Sequence, residues 1–201
     1  MAFATSPDRL AGGHDGPTAV KILVAGGFGA GKTTFVSTVS EIEPLRTEAV
    51  LTEASLGVDD TRAVGSKTTT TVAMDFGRIT ITEDIVLYLF GTPGQDRFWF
   101  MWDELSLGAI GAVVLADTRR LEDCFPALDY FERAGLAMLV AVNCFEGARR
   151  YAPEDVREAL DLDDSVPVVL CDARQRSSTK ATLIGLVAGR FVAGPMGGMP
   201  S

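Results

Sequence analysis

Short apolar runs rich in β-branched residues alternate with segments of helical period along most of this chain. VKILVAG, GAVVLAD, LAMLVAV and VPVVL read as strands, and KTTFVSTVSEI, LEDCFPALDYFERA, APEDVREAL and STKATLIGLVAGRF read as helices between them. Residues 112–116 and 138–142 are apolar without a break, which predicts strands buried on both faces of a parallel sheet covered by helices. TVAMDFGRITI and DIVLYLF are separated by only Thr82 and Glu83, too few residues for a crossover, so they predict an antiparallel hairpin at a sheet edge. The expected architecture is a three-layer α/β domain with about six strands, mostly parallel, and one antiparallel edge strand. Residues 1–18 and 192–201 are rich in glycine, proline and small polar side chains and read as flexible tails around a domain of residues 19–191. Residues 43–71 are polar and weakly periodic, the signature of a functional loop.

Composition narrows the partners. With 47% hydrophobic and 22% charged residues among 201, the chain has enough apolar material to fold without disulfides. Its 18 basic and 27 acidic side chains give a net charge of −9, which repels nucleic-acid backbones and anionic headgroups. A phosphate must therefore be held by local geometry. Cys124, Cys144 and Cys171 have no zinc-like spacing and fit reduced thiols in a cytoplasm. The apolar runs fall short of the roughly 18 to 20 residues of a membrane span, and neither a secretory signal nor a lipidation motif is expected. His14 is the single histidine and lies in the N-terminal tail, so a histidine-based triad or zinc site has no support.

The strongest motif is Gly26-Gly27-Phe28-Gly29-Ala30-Gly31-Lys32-Thr33, directly after a predicted strand and opening a predicted helix. It matches GxxxxGK[ST], the phosphate-binding loop, and makes the expected architecture a P-loop fold. Glycines let the backbone curl around anionic oxygens, the helix start aims unpaired N–H groups at them, and Lys32 adds a charge toward the outer phosphates. Thr33 offers a hydroxyl to magnesium, and Thr34 continues the cradle.

Four further segments resemble a Ras-like small GTPase. Thr71-Val72-Ala73-Met74-Asp75-Phe76 is similar to the stretch whose threonine closes on magnesium and the γ-phosphate, which implies Thr71, or Thr70 in the neighbouring register. Gly91-Thr92-Pro93-Gly94-Gln95 resembles the Asp-x-x-Gly-Gln switch, implying a Gly94 N–H to the γ-phosphate and a Gln95 that orients water. Gly91 stands where most relatives carry an aspartate, which implies weaker metal binding. Asn143-Cys144-Phe145-Glu146 is similar to Asn-Lys-x-Asp, with Glu146 as the acceptor for guanine and Cys144 in place of the lysine. Cys171-Asp172-Ala173-Arg174 resembles the Ser-Ala-Lys loop, which implies an Ala173 N–H toward guanine O6 and an Arg174 stem over the base.

These segments, in this order from residue 20 to about 191, look most like bacterial small GTPases of the actinobacterial conservon type, relatives of the bacterial polarity GTPases. The resemblance implies GTP/GDP and Mg²⁺ as ligands, and a roadblock-fold regulator and a sensor-like histidine kinase as partners. It also implies a cytoplasmic location, with membrane association only through a partner. Three activities stay open: a slow GTP hydrolase acting as a switch, a nucleotide-bound scaffold with negligible turnover, and an ATP-using P-loop enzyme. Arg62, ahead of Thr71, is the candidate for a catalytic arginine, with Arg97 its competitor. Arg119 and Arg120 read as a solvated basic pair. The aromatic run of residues 98–102 divides between core and partner surface.

Overall fold

The computed structural model describes residues 16–43, 45–52, 69–94 and 100–192. Strand β1 (Thr18–Gly26) sends alternate side chains into two separate cores, Val20, Ile22 and Val24 into one and Leu23 and Ala25 into the other. β5 (Ala109–Ala116) and β6 (Met138–Asn143) repeat the alternation, with Val113, Leu115, Leu139 and Ala141 on the first face and Ala112, Val114, Val140 and Val142 on the second. The two-residue period of an extended chain thus fills both cores from one uninterrupted apolar run.

Helices α1 (Lys32–Val39) and α5 (Arg176–Val192) cover the first face through Phe35, Val36, Val39, Leu183 and Leu186. Helices α2 (Phe100–Ser106), α3 (Phe125–Arg133) and α4 (Pro153–Ala159) cover the second through Trp102, Leu105, Leu128, Phe131 and Val156. Trp102 is buried, its ring 5.2 Å from that of Tyr130 and 5.6 Å from that of Phe131, so this part of the aromatic run is core. Phe98 and Trp99 lie outside the described residues. No helix among the described residues is long and apolar enough to cross a membrane.

The sheet order is β2-β3-β4-β1-β5-β6-β7, with β2 (Leu45–Thr52), β3 (Thr69–Thr82), β4 (Ile85–Gly91) and β7 (Val168–Cys171) completing it. The mostly parallel α/β class and the β3–β4 hairpin match the sequence reading. Two details differ. There is a seventh strand, and the antiparallel strand β3 lies one place in from the edge because β2 pairs outside it. The sequence reading places β2 in the loop of residues 43–71, because its apolar positions Leu45, Ala49, Val50 and Leu51 do not alternate as a strand's would.

β1 runs parallel to both its neighbours, with Gly26 opposite Leu115 of β5 and Val24 opposite Gly91 of β4. The C-terminal ends of β1, β4, β5, β6 and β7 therefore gather at one edge of the sheet. The chain leaves β1 for α1 on one face and leaves β5 for α3 on the other, the crevice where open α/β sheets bind ligands.

Gly26 marks how tightly that edge is built. Its φ is +132°, and a Cβ there would lie 2.4 Å from the backbone oxygen of Leu115. Gly26→Ala is expected to destabilise the fold by at least about 1 to 3 kcal/mol, the scale of forced backbone strain. Urea denaturation measures it, and an unchanged midpoint would show that β1 and β5 part without cost.

Candidate functional site

Residues 26–33 wrap from the end of β1 into the first turn of α1. Gly27 and Ala30 close a tight turn, the Ala30 N–H donating to the Gly27 carbonyl at 3.3 Å, and Gly29 and Gly31 hold φ of +78° and +102°. Gly31 caps α1 with no side-chain hydrogen bond, and no acidic residue occupies the first turn. The leading N–H groups of the helix are thus left for an anion. Ala30 is buried, whereas Thr34 faces solvent and Phe28 is 68% exposed.

Lys32 curls back over this loop and donates through Nζ to the carbonyls of Gly26 and Gly27 at 2.8 and 2.7 Å. Burial pulls its ammonium down to about 8, opposed first by the Asp75 carboxylate and then by Asp123. Gly94 arrives on top of it, since a Cβ at Gly94 would stand 2.5 Å from Lys32 Nζ and 3.3 Å from the Gly27 backbone. The segment after β4 thus lies against the phosphate loop at Gly94.

Beside Lys32, Thr33 donates its hydroxyl proton to Asp75 Oδ2 at 2.6 Å. Asp75 sits on β3 next to Gly91, and a Cβ at Gly91 would lie 3.1 Å from Asp75 Cβ and 3.4 Å from Asp75 Oδ2. The carboxylate expected at Gly91 and missing there is supplied from the adjacent strand into the same space. Sequence reading missed it because the pairing of β3 with β4, Phe76 opposite Phe90, brings the two positions together across the hairpin. The donor set suits magnesium: two hard oxygens, with the hydroxyl's lone pairs turned away from Asp75 because its proton points to it. Among the described residues no cluster of three or more His, Cys, Asp or Glu could hold a metal ion.

Asn143, buried at the end of β6, ties two loops together. Its Nδ2 donates to the Ala30 carbonyl at 2.9 Å, and its Oδ1 accepts the Ala173 N–H at 3.1 Å. That amide, expected to face a base, is therefore engaged with Asn143. Arg174 does not lie free along the loop either. It donates through Nε and Nη2 to Asp172, each at 2.9 Å, and through Nη1 to Glu146 Oε2 at 3.5 Å. The guanidinium holds the Asp172 carboxyl down at about 2. Glu146 projects into solvent beside it, its side chain 91% exposed. The two loops assigned to base reading thus meet through an ion pair that neither motif reveals alone.

Other expected residues are not brought together. Thr71 and Thr70 lie within β3, opposite Val50 and Leu51 of β2. Thr71 is about 13 Å along the strand from Asp75 at ordinary strand rise. Arg62, Gln95 and Arg97 lie outside the described residues. Arg119 and Arg120 are not a merely solvated pair. Arg119 is held by the buried Asp117 through Nε at 2.8 Å and Nη2 at 2.7 Å and stacks over Phe145, 3.9 Å from its centroid. Arg120 donates to the Phe28 carbonyl.

Residues 24–191 match the family described as "Conserved hypothetical ATP binding protein". The uncharacterized protein MJ1339 of Methanocaldococcus jannaschii is 33% identical over 101 residues, covering 50% of this chain; the aligned part spans about half of that relative, 53% of its length. Among solved structures, the cytosolic domain of the T. maritima FeoB iron transporter in apo form aligns with TM-score 0.62 and 15% identity over 90% of this chain and 67% of that one. The G domain of T. maritima FeoB aligns with TM-score 0.58 and 16% identity over 87% of this chain and 98% of that one. At these identities the likeness is one of fold.

Two outcomes follow from the geometry. Asn143→Ala strands the buried Ala30 carbonyl and Ala173 amide, at about 1 to 3 kcal/mol for each unsatisfied group, and is expected to lower the unfolding free energy by about 2 to 4 kcal/mol in urea titration. Carboxyl NMR is expected to find Asp172 still ionised at pH 3 and protonating only near pH 2, with Arg174→Ala returning it toward the ordinary aspartate range. Because its folded value is depressed, the stabilisation from this pair is present above about pH 4 and lost as pH falls toward 2; an Asp172 that titrates normally would remove the pair from solution.

Proposed function

The chain belongs to this family, and from that premise we propose that it is a GTP-binding molecular switch that hydrolyses GTP slowly to GDP and phosphate. One observation carries the reading: the Thr33–Asp75 hydrogen bond of 2.6 Å beside Lys32. It supports a site competent for metal-bound triphosphate in a chain that lacks the usual aspartate at Gly91.

In this reading, residues 26–32 cradle the β- and γ-phosphates through backbone N–H groups, and the Lys32 ammonium moves from the Gly26 and Gly27 carbonyls to phosphate oxygens. Thr33 would hold Mg²⁺ with Asp75 orienting its hydroxyl, and the ion would supply charge neutralisation at the β- and γ-oxygens. Gln95 orients a water for in-line attack: a new O–P bond forms at the γ-phosphorus, the bond to the bridging oxygen breaks, and GDP leaves. Thr71 would join Thr33 in holding the ion if the β3 end rearranged to bring it there. Intrinsic rates for such chemistry are roughly 10⁻⁴ to 10⁻² per second, and the lower part of that range is expected here. A roadblock-fold regulator and a kinase-associated complex complete the proposal as the switch's partners.

Guanine preference rests on Glu146, an exposed acceptor steadied by Arg174 at 3.5 Å. A second reading, ATP use, is favoured by two observations: the description of the family as ATP-binding, and the donation of the Ala173 N–H to Asn143 rather than toward a base.

Calorimetric titration with GTP, GDP and ATP, followed by single-turnover hydrolysis, is expected to give tighter GTP than ATP binding and slow release of phosphate. Glu146→Ala should erase the base preference, about 1 to 3 kcal/mol. Asp75→Ala should weaken the magnesium dependence of nucleotide binding while binding without magnesium survives, and an aspartate placed at Gly91 in that background should restore part of it. Equal GTP and ATP affinity would move the assignment to ATP. An Asp75→Ala chain with unchanged magnesium dependence would remove the carboxylate from the metal site.

A further inference from the structure

We propose that Arg120 is a catalytic arginine supplied in cis, whose guanidinium moves from the Phe28 carbonyl onto the γ-phosphate of the bound triphosphate. This rests on the reading of the site as a nucleoside triphosphatase.

The placement follows from the sheet. β5 lies beside β1, with Leu115 opposite Gly26, so the residues that follow β5 emerge next to the phosphate loop. There the buried Asp117 takes the Arg119 N–H at 3.0 Å together with its guanidinium, and the Arg120 N–H donates to the Asp117 carbonyl at 2.9 Å. This turn separates two adjacent arginines: Arg119 goes to Phe145 on the base loop and Arg120 to Phe28 on the phosphate loop. Arg120 Nη2 also stands 3.3 Å from where a Cβ of Gly29 would lie.

The target is close. Lys32 Nζ on the Gly27 carbonyl and Gly94 above it mark the outer-phosphate end of the loop. Phe28 is the next residue, one peptide unit and about 3.8 Å of chain further on. Asp123, which follows Arg120 in the same turn, would meet a Cβ on Gly27 at 2.4 Å, so this element packs against the loop on both sides of the Gly27–Phe28 peptide.

The hold on Arg120 is of a kind that a phosphate displaces. Its partners are a neutral carbonyl and the Asp123 carboxylate at 3.6 Å, and its side chain is 48% exposed. Exposed pairs of this sort are weak, whereas a guanidinium on a phosphate makes charge-assisted, bidentate bonds. Among the described residues no other arginine hydrogen-bonds to residues 26–33. On transfer, the attacking water forms its bond to the γ-phosphorus, the bond to the β-bridging oxygen breaks, the water's proton ends on phosphate, and Arg120 offsets the charge that spreads over the γ-oxygens.

The experiment compares the full chain with Arg120→Ala and Arg120→Lys. It measures affinity for the di- and triphosphate preferred in the titration, single-turnover hydrolysis, and aluminium fluoride capture by the diphosphate complex, read by fluorescence of a labelled nucleotide. Both variants are expected to bind nucleotides within threefold of the parent, to hydrolyse at least tenfold more slowly and to lose aluminium fluoride capture. The lysine variant retains a cation for the Phe28 carbonyl and so keeps the test open if the alanine variant fails to fold. Parent-like hydrolysis and capture by Arg120→Lys overturns the proposal, as does a parallel loss of di- and triphosphate binding, which would make Arg120 a tether of the loop. A parent that binds nucleotide but neither hydrolyses it nor captures aluminium fluoride overturns it too. A parent that binds neither GTP nor ATP overturns the nucleotide reading itself.

Discussion

Everything at the site depends on β1 having a parallel neighbour on each side. A strand so placed must be apolar on both faces, and it must end where its neighbours end. Val24 opposite Gly91 and Gly26 opposite Leu115 fix those ends to within a residue. The loop after β1 can then be touched by the loops after β4, β5, β6 and β7. Lys32, Gly94, Arg120 and Asn143 come from four different places in the chain, and each contacts residues 26–31.

That closeness lets chemistry move between strands without moving in space. A carboxylate beside Thr33 does not have to come from β4, because any residue whose side chain fills the same volume serves. Asp75 on β3 does so, and the lack of a side chain at Gly91 makes room for it. Site identity here is a matter of occupied volume and charge, and a motif read along one strand captures only part of it.

Electrostatics reinforce the local character of the site. A chain of net charge −9 repels a polyanion at long range, so a phosphate must be met by oriented dipoles and by cations already in place. Lys32 is desolvated among backbone carbonyls, with Asp75 and Asp123 opposing the loss of its charge. Arg119, Arg120 and Arg174 are each held by a carboxylate: Asp117, Asp123 and Asp172 respectively. The cations beside the phosphate loop and the ends of β6 and β7 thus stand next to acids that are part of what makes the protein acidic.

The sequence by itself determined the fold class, the hairpin and the phosphate loop, because each is a local statement: a two-residue alternation, a connection too short to cross over, and a run of glycines before Lys32. It also placed Asn143 at the end of a strand and Ala173 in the loop that follows the last one. Strand β2 was not legible, because its apolar residues do not alternate and its pairing with β3 is a contact across the sheet. Nor were Asp75 behind Thr33, Asn143 on Ala173, or Arg120 on Phe28. These join residues 42, 30 and 92 positions apart, and the pairing of β3 on β4, of β6 on β7 and of β5 on β1 decides that they meet.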